Sequence, residues 1–279
     1  MTNLAALPGR RLIRLEGEGR ASFLQGLVSN DVAQAVEGRA VWAAFLTPQG
    51  KYLADFFIIG HGDALFLDCE AGQLDMLLAR LSRYKLRERV TLRPAPELLV
   101  HAAWGAEPPA AGAVESSTEA IIAVDPRLPA AGWRVLTDAP LETTASEADW
   151  DRHRIRLGLP DGTRDLEPEK TVLLEAGFDE LQGVSWQKGC YLGQELTART
   201  KYRGLIKRRL VPVDVEGTLP PPGSPVLHAG VEVGTMRLGI DQMGMAVLRL
   251  SALGGRLDCA GAVLVPRIPA WMRVPEPAS

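Results

Sequence analysis

Two nearly uninterrupted apolar runs, residues 41–46 and 53–59, bracket Thr47-Pro48-Gln49-Gly50-Lys51, and this arrangement limits the chain more than any other. Runs so short and so apolar are strands, and the Pro and Gly between them supply the turn, so the segment reads as a β-hairpin. Residues 10–15 and 64–69 read as further strands. A helix spans 22–28 and stops at Ser29-Asn30-Asp31. The strongest helix covers 72–85, with Leu74, Leu77, Leu78 and Leu81 on one face. Strands follow at 90–92, 98–104, 120–124 and 133–136, with an Ala-, Pro-, Gly- and Ser-rich loop or insertion at 105–117. Ser146 with Asp149 forms a capping box that opens a helix running to Leu157. Residues 161–170 are acidic and poor in apolar side chains, which predicts an exposed loop.

After Gly204 the texture changes. Short β-like runs at 210–215, 226–227, 231–235, 245–250 and 262–265 are punctuated by Gly and Pro, and Pro220-Pro221-Pro222-Gly223 is a rigid connector. Such close spacing predicts a small barrel or sandwich as a separate C-terminal domain. The expected division is therefore 1–203 and 204–279, within what 279 residues can bury as two or three modest cores.

A net charge of -3 gives no reason to expect nucleic acid or an anionic membrane as partner. Residues 1–11 lack the apolar run of a signal peptide, and no stretch approaches a transmembrane span, so a soluble intracellular protein is expected. Cys69, Cys190 and Cys259 are odd in number and far apart, which argues against a disulfide framework. His61, His101, His153 and His228 are equally scattered, and no metal site is expected, because zinc and iron–sulfur centres need three or four protein ligands.

One thiol stands apart. Cys190 lies in Lys188-Gly189-Cys190-Tyr191-Leu192-Gly193-Gln194-Glu195, between two glycines that permit positive φ or close backbone approach. Residues 194–202 suit a short helix, with Glu195 and Arg199 as an i,i+4 ion pair. Cys190 would then sit ahead of a helix N-terminus and beside Lys188, an arrangement that lowers a cysteine pKa. The alternatives are a small buried hydrophobe or a tight turn without chemistry. Lys188, Arg199, Lys201, Arg203, Lys207, Arg208 and Arg209 face one acid, Glu195, in this part of the sequence. The cluster either holds an anionic ligand or decorates a solvated strand edge. Glu175, in Leu173-Leu174-Glu175-Ala176-Gly177, is either a surface acid or a carboxylate that accepts two N–H bonds from a planar heterocycle. Asp55, inside an apolar run, lies either on the polar face of a half-buried strand or in a cleft.

The cysteine octapeptide, with Leu196-Thr197-Ala198-Arg199-Thr200 and Lys207-Arg208-Arg209-Leu210 after it, resembles the signature of the YgfZ-type folate-binding proteins. These are relatives of the glycine-cleavage T-protein (aminomethyltransferase), and the branch it resembles contains the mitochondrial iron–sulfur assembly factor. Phe23-Leu24-Gln25-Gly26, Leu46 to Lys51, Arg83-Tyr84-x-Leu86-Arg87 and Gly183-Val184-Ser185-Trp186 resemble other words of the family. The resemblance implies an α+β fold, with two α+β lobes in residues 1–203 and a C-terminal β-barrel, and tetrahydrofolate or a one-carbon derivative as ligand. It matches Glu175 with the glutamate that binds the pterin, and Asp55 with the T-protein's catalytic aspartate, although that enzyme's neighbouring acid is Ala54 here. It implies a factor for maturation or repair of iron–sulfur proteins, accessory rather than enzymatic, with Cys190 as functional thiol. Lys188, Tyr191, Gln194, Arg199 and Lys201 would complete the ligand site. Its partners would be folate and the iron–sulfur assembly machinery or client [4Fe–4S] proteins. The compartment would be the cytoplasm, or the mitochondrial matrix in a eukaryote. The alternative is a folate-dependent aminomethyltransferase or demethylase working through Asp55.

Overall fold

A computed structural model describes residues 1–86, 88–109 and 120–275. The strands of its first part are β1 (Asn3–Ala6), β2 (Arg10–Glu16), β3 (Gly38–Leu46), β4 (Tyr52–His61), β5 (Ala64–Glu70), β6 (Thr91–Pro94), β7 (Leu99–Trp104), β8 (Ile121–Val124) and β9 (Trp133–Thr137). They form one nine-stranded sheet in the order β1-β7-β9-β8-β3-β4-β5-β2-β6. The two α+β lobes thus share a sheet, joined where β3 runs parallel to β8 through Gly38 opposite Ala123. Of the loop expected at 105–117, residues 110–117 lie outside the described residues.

The hairpin forms as expected, with Val41 opposite Ile58 and Phe45 opposite Ala54. Its strands are apolar at nearly every position because both faces of the sheet are covered. Trp42, Phe57 and Ile59 enter one core with Trp150 and Phe178, whereas Val41, Phe45, Phe56 and Ile58 enter the other with Phe23, Leu77 and Leu81. The second core is roofed by α1 (Arg20–Gln25) and α2 (Leu74–Tyr84). Leu77 and Leu81 are fully buried there, and Leu74 and Leu78 pack at its edge. Each such side chain contributes about 1.5–3 kcal/mol of burial free energy.

Helix α3 (Glu147–Leu157) opens on the expected capping box, with Ser146 Oγ accepting from the Asp149 amide and Asp149 accepting from the Ser146 amide. Residues 161–170 are not the exposed loop expected from their acids. They include a short helix, α4 (Gly162–Asp165), and Asp165 is fully buried. Arg154 reaches Asp165 at 2.6 Å and Asp151 at 2.6 Å, Arg10 reaches Asp161 at 3.1 Å, and Arg164 pairs with Asp151 and Asp161. Acids from this segment are charge partners for arginines that arrive from β2 and α3, and a sequence window cannot see those partners.

Past α5 (Gln194–Tyr202) come β10 (Arg208–Glu216), β11 (Pro225–His228), β12 (Val231–Ile240), β13 (Met243–Arg249), β14 (Leu257–Cys259) and β15 (Ala262–Pro266). They close as a barrel in the order β10-β13-β12-β11-β14-β15, settling the barrel-or-sandwich alternative. Val211, Val213, Met236, Leu248 and Leu264 fill it. Arg209 clamps the barrel to the first part, donating to the Leu174 carbonyl at 2.8 Å and to Glu180 at 2.6 Å while wholly buried.

Candidate functional site

The segment that carries Cys190 is held at both ends. Upstream, Ser185 N donates to the Ser29 carbonyl, and Ser29 Oγ donates to the Gly183 carbonyl at 2.6 Å. The Lys188 ammonium then donates to the carbonyls of Gln25 and Val28, both at 2.7 Å, and Asn30 at 2.8 Å. An ammonium has three donors, and all three are used here on carbonyls around the C-terminal end of α1. Burial draws this ammonium down to about 8 against the charge of Asp31. Lys188 is therefore an anchor, and its charge is not directed at the thiol as the sequence reading had it.

Downstream, Gly193 caps α5 in the left-handed conformation, φ 79°. A Cβ there would fall 2.5 Å from the Thr47 carbonyl oxygen and 3.0 Å from Gly50 Cα. The hairpin turn and the start of α5 thus meet backbone to backbone, and only glycine permits it. Gly189 has neither property: its φ is not positive and no atom lies within 4 Å of where its Cβ would be. Of the two glycines expected to shape the cysteine segment, one does.

Between these anchors Cys190 is exposed, whereas Cys69 and Cys259 are buried. Burial pushes the Cys69 thiol up to about 12 and raises Cys259 as well. Tyr191 turns inward, its ring 5.1 Å from the Lys188 ammonium and its hydroxyl pushed up to about 12 by burial. Gln194 closes the turn by accepting from the Tyr191 amide at 3.4 Å.

Three of the seven cations of this cluster are engaged in ion pairs within the chain. Arg199 pairs with Glu195 on the same helix, as expected. Lys201 reaches Asp179 at 2.5 Å and lies 4.5 Å over the Trp186 ring, and Arg209 is buried in its clamp. A ligand carboxylate that reached Arg199 or Lys201 would compete with Glu195 or Asp179 for it.

Asp55 shares a sheet face with Phe57 and Ile59, but it is neither on a wet face nor in a cleft. Trp42 Nε1 donates to its Oδ2 at 2.9 Å, Tyr52 donates to its Oδ1 at 2.8 Å, and the residue is 2% exposed. Burial raises its pKa, with Arg10 and the two donors opposing. The catalytic role expected for Asp55 thus falls on a carboxylate whose two oxygens are both engaged inside the core.

Glu175 sits on a 3-10 turn, Leu173–Ala176, between buried leucines and Gly177 in the left-handed region. It lines a cleft of about 110 Å³ with Glu167, Lys170, Arg208 and Arg237, over an apolar floor that includes Leu166 and Leu210. Its Oε1 accepts only a 3.3 Å contact from the Lys207 amide. Arg237, a lone arginine in a barrel strand, carried no signal in the sequence. Asp55, Glu175 and Cys190 are thus in three settings: sealed, in a cleft, and on the surface.

Residues 207–274 match the family model described as CAF17, C-terminal beta-barrel domain. The chain is 36% identical over 298 residues to the human protein named iron-sulfur cluster assembly factor IBA57, mitochondrial, covering 95% of this chain and 84% of that one. It is 37% identical to the mouse protein of the same name, covering 90% and 78%. Among solved structures, the glycine cleavage system aminomethyltransferase T of Bartonella henselae aligns with TM-score 0.73 at 16% identity, over 98% of this chain and 87% of that one. That likeness shows the fold, and the α+β lobes with a C-terminal barrel are as the sequence implied. The sequence relatives show the rest: the chain belongs to the IBA57 family of iron-sulfur cluster assembly factors.

Proposed function

We propose that this chain supports the maturation or repair of iron–sulfur proteins through the Cys190 thiol, with tetrahydrofolate as a ligand of the Glu175 cleft. The observation that carries the reading is the exposed Cys190 on a segment fixed by the Lys188 and Gly193 anchors, beside two cysteines that are buried. Among the described residues no group of three His, Cys, Asp or Glu side chains is arranged to hold a metal ion. A cluster that meets Cys190 therefore takes its other ligands from a partner, either assembly machinery or a client [4Fe–4S] protein. In a eukaryote the compartment is the mitochondrion, for which the relatives are named.

For folate, the cleft supplies matching groups at one end: its volume of about 110 Å³ takes only an edge of the molecule, and the rest of the folate would lie outside it. Glu175 has an oxygen free of hydrogen bonds among the described residues, as a carboxylate facing a planar ring with paired N–H groups requires. Arg208, in the same cleft, suits the glutamyl carboxylates, and Lys170 would have to exchange its pair with Glu167 to join it. The one-carbon transferase alternative depends on Asp55, and the sealed environment of that carboxylate counts against it.

The test is complementation of a deletion strain together with titration of tetrahydrofolate. Cys190→Ser is expected to bind folate as wild type does but to leave [4Fe–4S] enzyme activity unrestored. Glu175→Gln is expected to weaken folate roughly tenfold to a hundredfold, the worth of a charge-assisted hydrogen bond. Full restoration by Cys190→Ser would remove the thiol from the mechanism, and unchanged folate affinity in Glu175→Gln would remove the folate assignment.

A further inference from the structure

A second cavity, of about 130 Å³, opens between β2, β9, α3 and the α4 turn, lined by Arg10, Arg134, Arg164, Glu70, Glu147 and Trp150 among others. It is separate from the Glu175 cleft and shares no lining residue with it. Its charges balance in number but not in pairing. Asp68 serves two arginines: Oδ1 accepts from Arg10 Nε at 2.7 Å and Oδ2 from Arg134 Nε at 3.0 Å. Arg10 has a second acid in Asp161, and Arg164 has Asp151 and Asp161. Arg134 has only its half of Asp68 as a hydrogen-bonding acid among the described residues. It is 2% exposed, held between the rings of Phe57 at 4.4 Å and Trp150 at 5.0 Å, and its Nη1 is buried without a hydrogen-bond partner. Burial draws its pKa down despite Asp68 and Asp125.

The opposite want is on another wall. Glu147, in the first turn of α3, makes no hydrogen bond or ion pair among the described residues, and burial raises its pKa against the charge of Arg164. Glu70, by contrast, is occupied by the Thr163 amide at 2.8 Å and hydroxyl at 2.7 Å. The cavity is thus lined by an arginine with one unpartnered guanidinium nitrogen and by a carboxylate with no partner among the described residues. A simple anion such as phosphate or acetate would meet Arg134 but face Glu147 unmatched. A simple amine would meet Glu147 but face Arg134. A molecule with both charges on adjoining carbons satisfies both walls, and a space that would otherwise hold roughly four waters suits one of very few heavy atoms.

We propose that this cavity is a binding site for a small α-amino acid of the size of glycine, alanine or serine, its carboxylate on Arg134 and its ammonium on Glu147. Leu7 and the Trp150 indole limit the side chain. The site does not depend on Cys190 or on folate.

Thermal unfolding and isothermal titration of the full chain test it, with glycine, L-alanine and L-serine as probes and acetate, methylammonium, phosphate and L-tryptophan as controls. At least one small amino acid is expected to raise Tm by roughly 5–10 °C at a hundredfold excess over its Kd. The controls are expected to do nothing. Glu147→Gln, at a half-exposed helix start, is expected to weaken binding tenfold or more, and Arg134→Lys to do the same where it folds. Cys190→Ser is expected to bind as wild type. The assignment is overturned if no small amino acid binds at roughly millimolar concentration, if acetate matches the amino acids, or if Glu147→Gln binds unchanged.

Discussion

Substituting Gly193 by alanine isolates the anchor on which the Cys190 segment depends. The added Cβ would stand 2.5 Å from the Thr47 carbonyl oxygen, 2.9 Å from Leu46 Cβ and 3.0 Å from Gly50 Cα, at a φ of 79°. An L-residue in the left-handed region costs about 1–2 kcal/mol. Forcing a methyl group between two backbones costs a further ~1–3 kcal/mol, because no flexible side chain is there to yield. The sum, roughly 2–5 kcal/mol, is read as a lowered urea midpoint by tryptophan fluorescence. Gly50→Ala meets the same seam from the other side, 2.6 Å from the Gly193 carbonyl oxygen, and costs a similar amount. The double variant should lose less than the sum of the two, because either methyl alone opens the contact. Gly189→Ala is the control: it adjoins Cys190 in sequence but has open space around it, so its cost stays within about 0.5 kcal/mol. Should Gly189→Ala prove as costly as Gly193→Ala, or Gly193→Ala cost under about 0.5 kcal/mol, the close approach of the two backbones does not hold the segment.

The burial of the cysteines makes a second measurement simple: a disulfide reagent should titrate one fast thiol in the native protein, abolished by Cys190→Ser, with Cys69 and Cys259 reacting only on unfolding. Acid stability tests the buried ion network. Burial alone would raise Asp161, but Arg164, Arg154 and Arg10 together hold it well below the usual carboxylate range. Its folded pKa is therefore below its unfolded value, so its contribution is complete above the unfolded pKa and is lost as pH falls towards the folded one. Asp161→Asn should cost about 3–5 kcal/mol at neutral pH by leaving guanidinium charge unpaired, and the gap to wild type should narrow only below roughly pH 4. A gap that narrows already at pH 6 would assign the effect to other groups.

The hairpin, the leucine face of α2, the capping box at Ser146 and the helix after Gly193 were legible because each is a local pattern of period, turn chemistry or cap. What was not legible depends on partners far along the chain. β1 and β14 are four and three residues long, and they are strands because Ala102 and Leu264, among others, pair with them. Asp161 and Asp165 read as loop acids, since Arg10 is 151 residues from Asp161, and Arg154, though close in sequence, meets Asp165 only because the chain turns back after α3. The site was half legible for the same reason. The octapeptide marked Cys190, but whether Lys188 faces the thiol or the end of α1 is a question of three carbonyls more than 150 residues upstream. Asp55 shows the limit most clearly: an acid in an apolar run fits a cleft and a core equally well until Trp42 and Tyr52 are seen to supply its hydrogen bonds.

The two anchors bear on how a single exposed thiol can serve a meeting of two proteins. Ordering a loop on association costs about 0.5–1.5 kcal/mol for each rotamer-rich side chain immobilised, and that cost comes out of affinity. Here much of the ordering is complete before any partner arrives. Lys188, the most flexible side chain of the segment, is tied at three points, Tyr191 is buried, and Gly193 is seated against Gly50. Cys190, its open neighbour Gly189 and the exposed Gln187 are left to adjust. A thiol so presented keeps its position whether or not a ligand is near, which is what the role proposed for Cys190 would need.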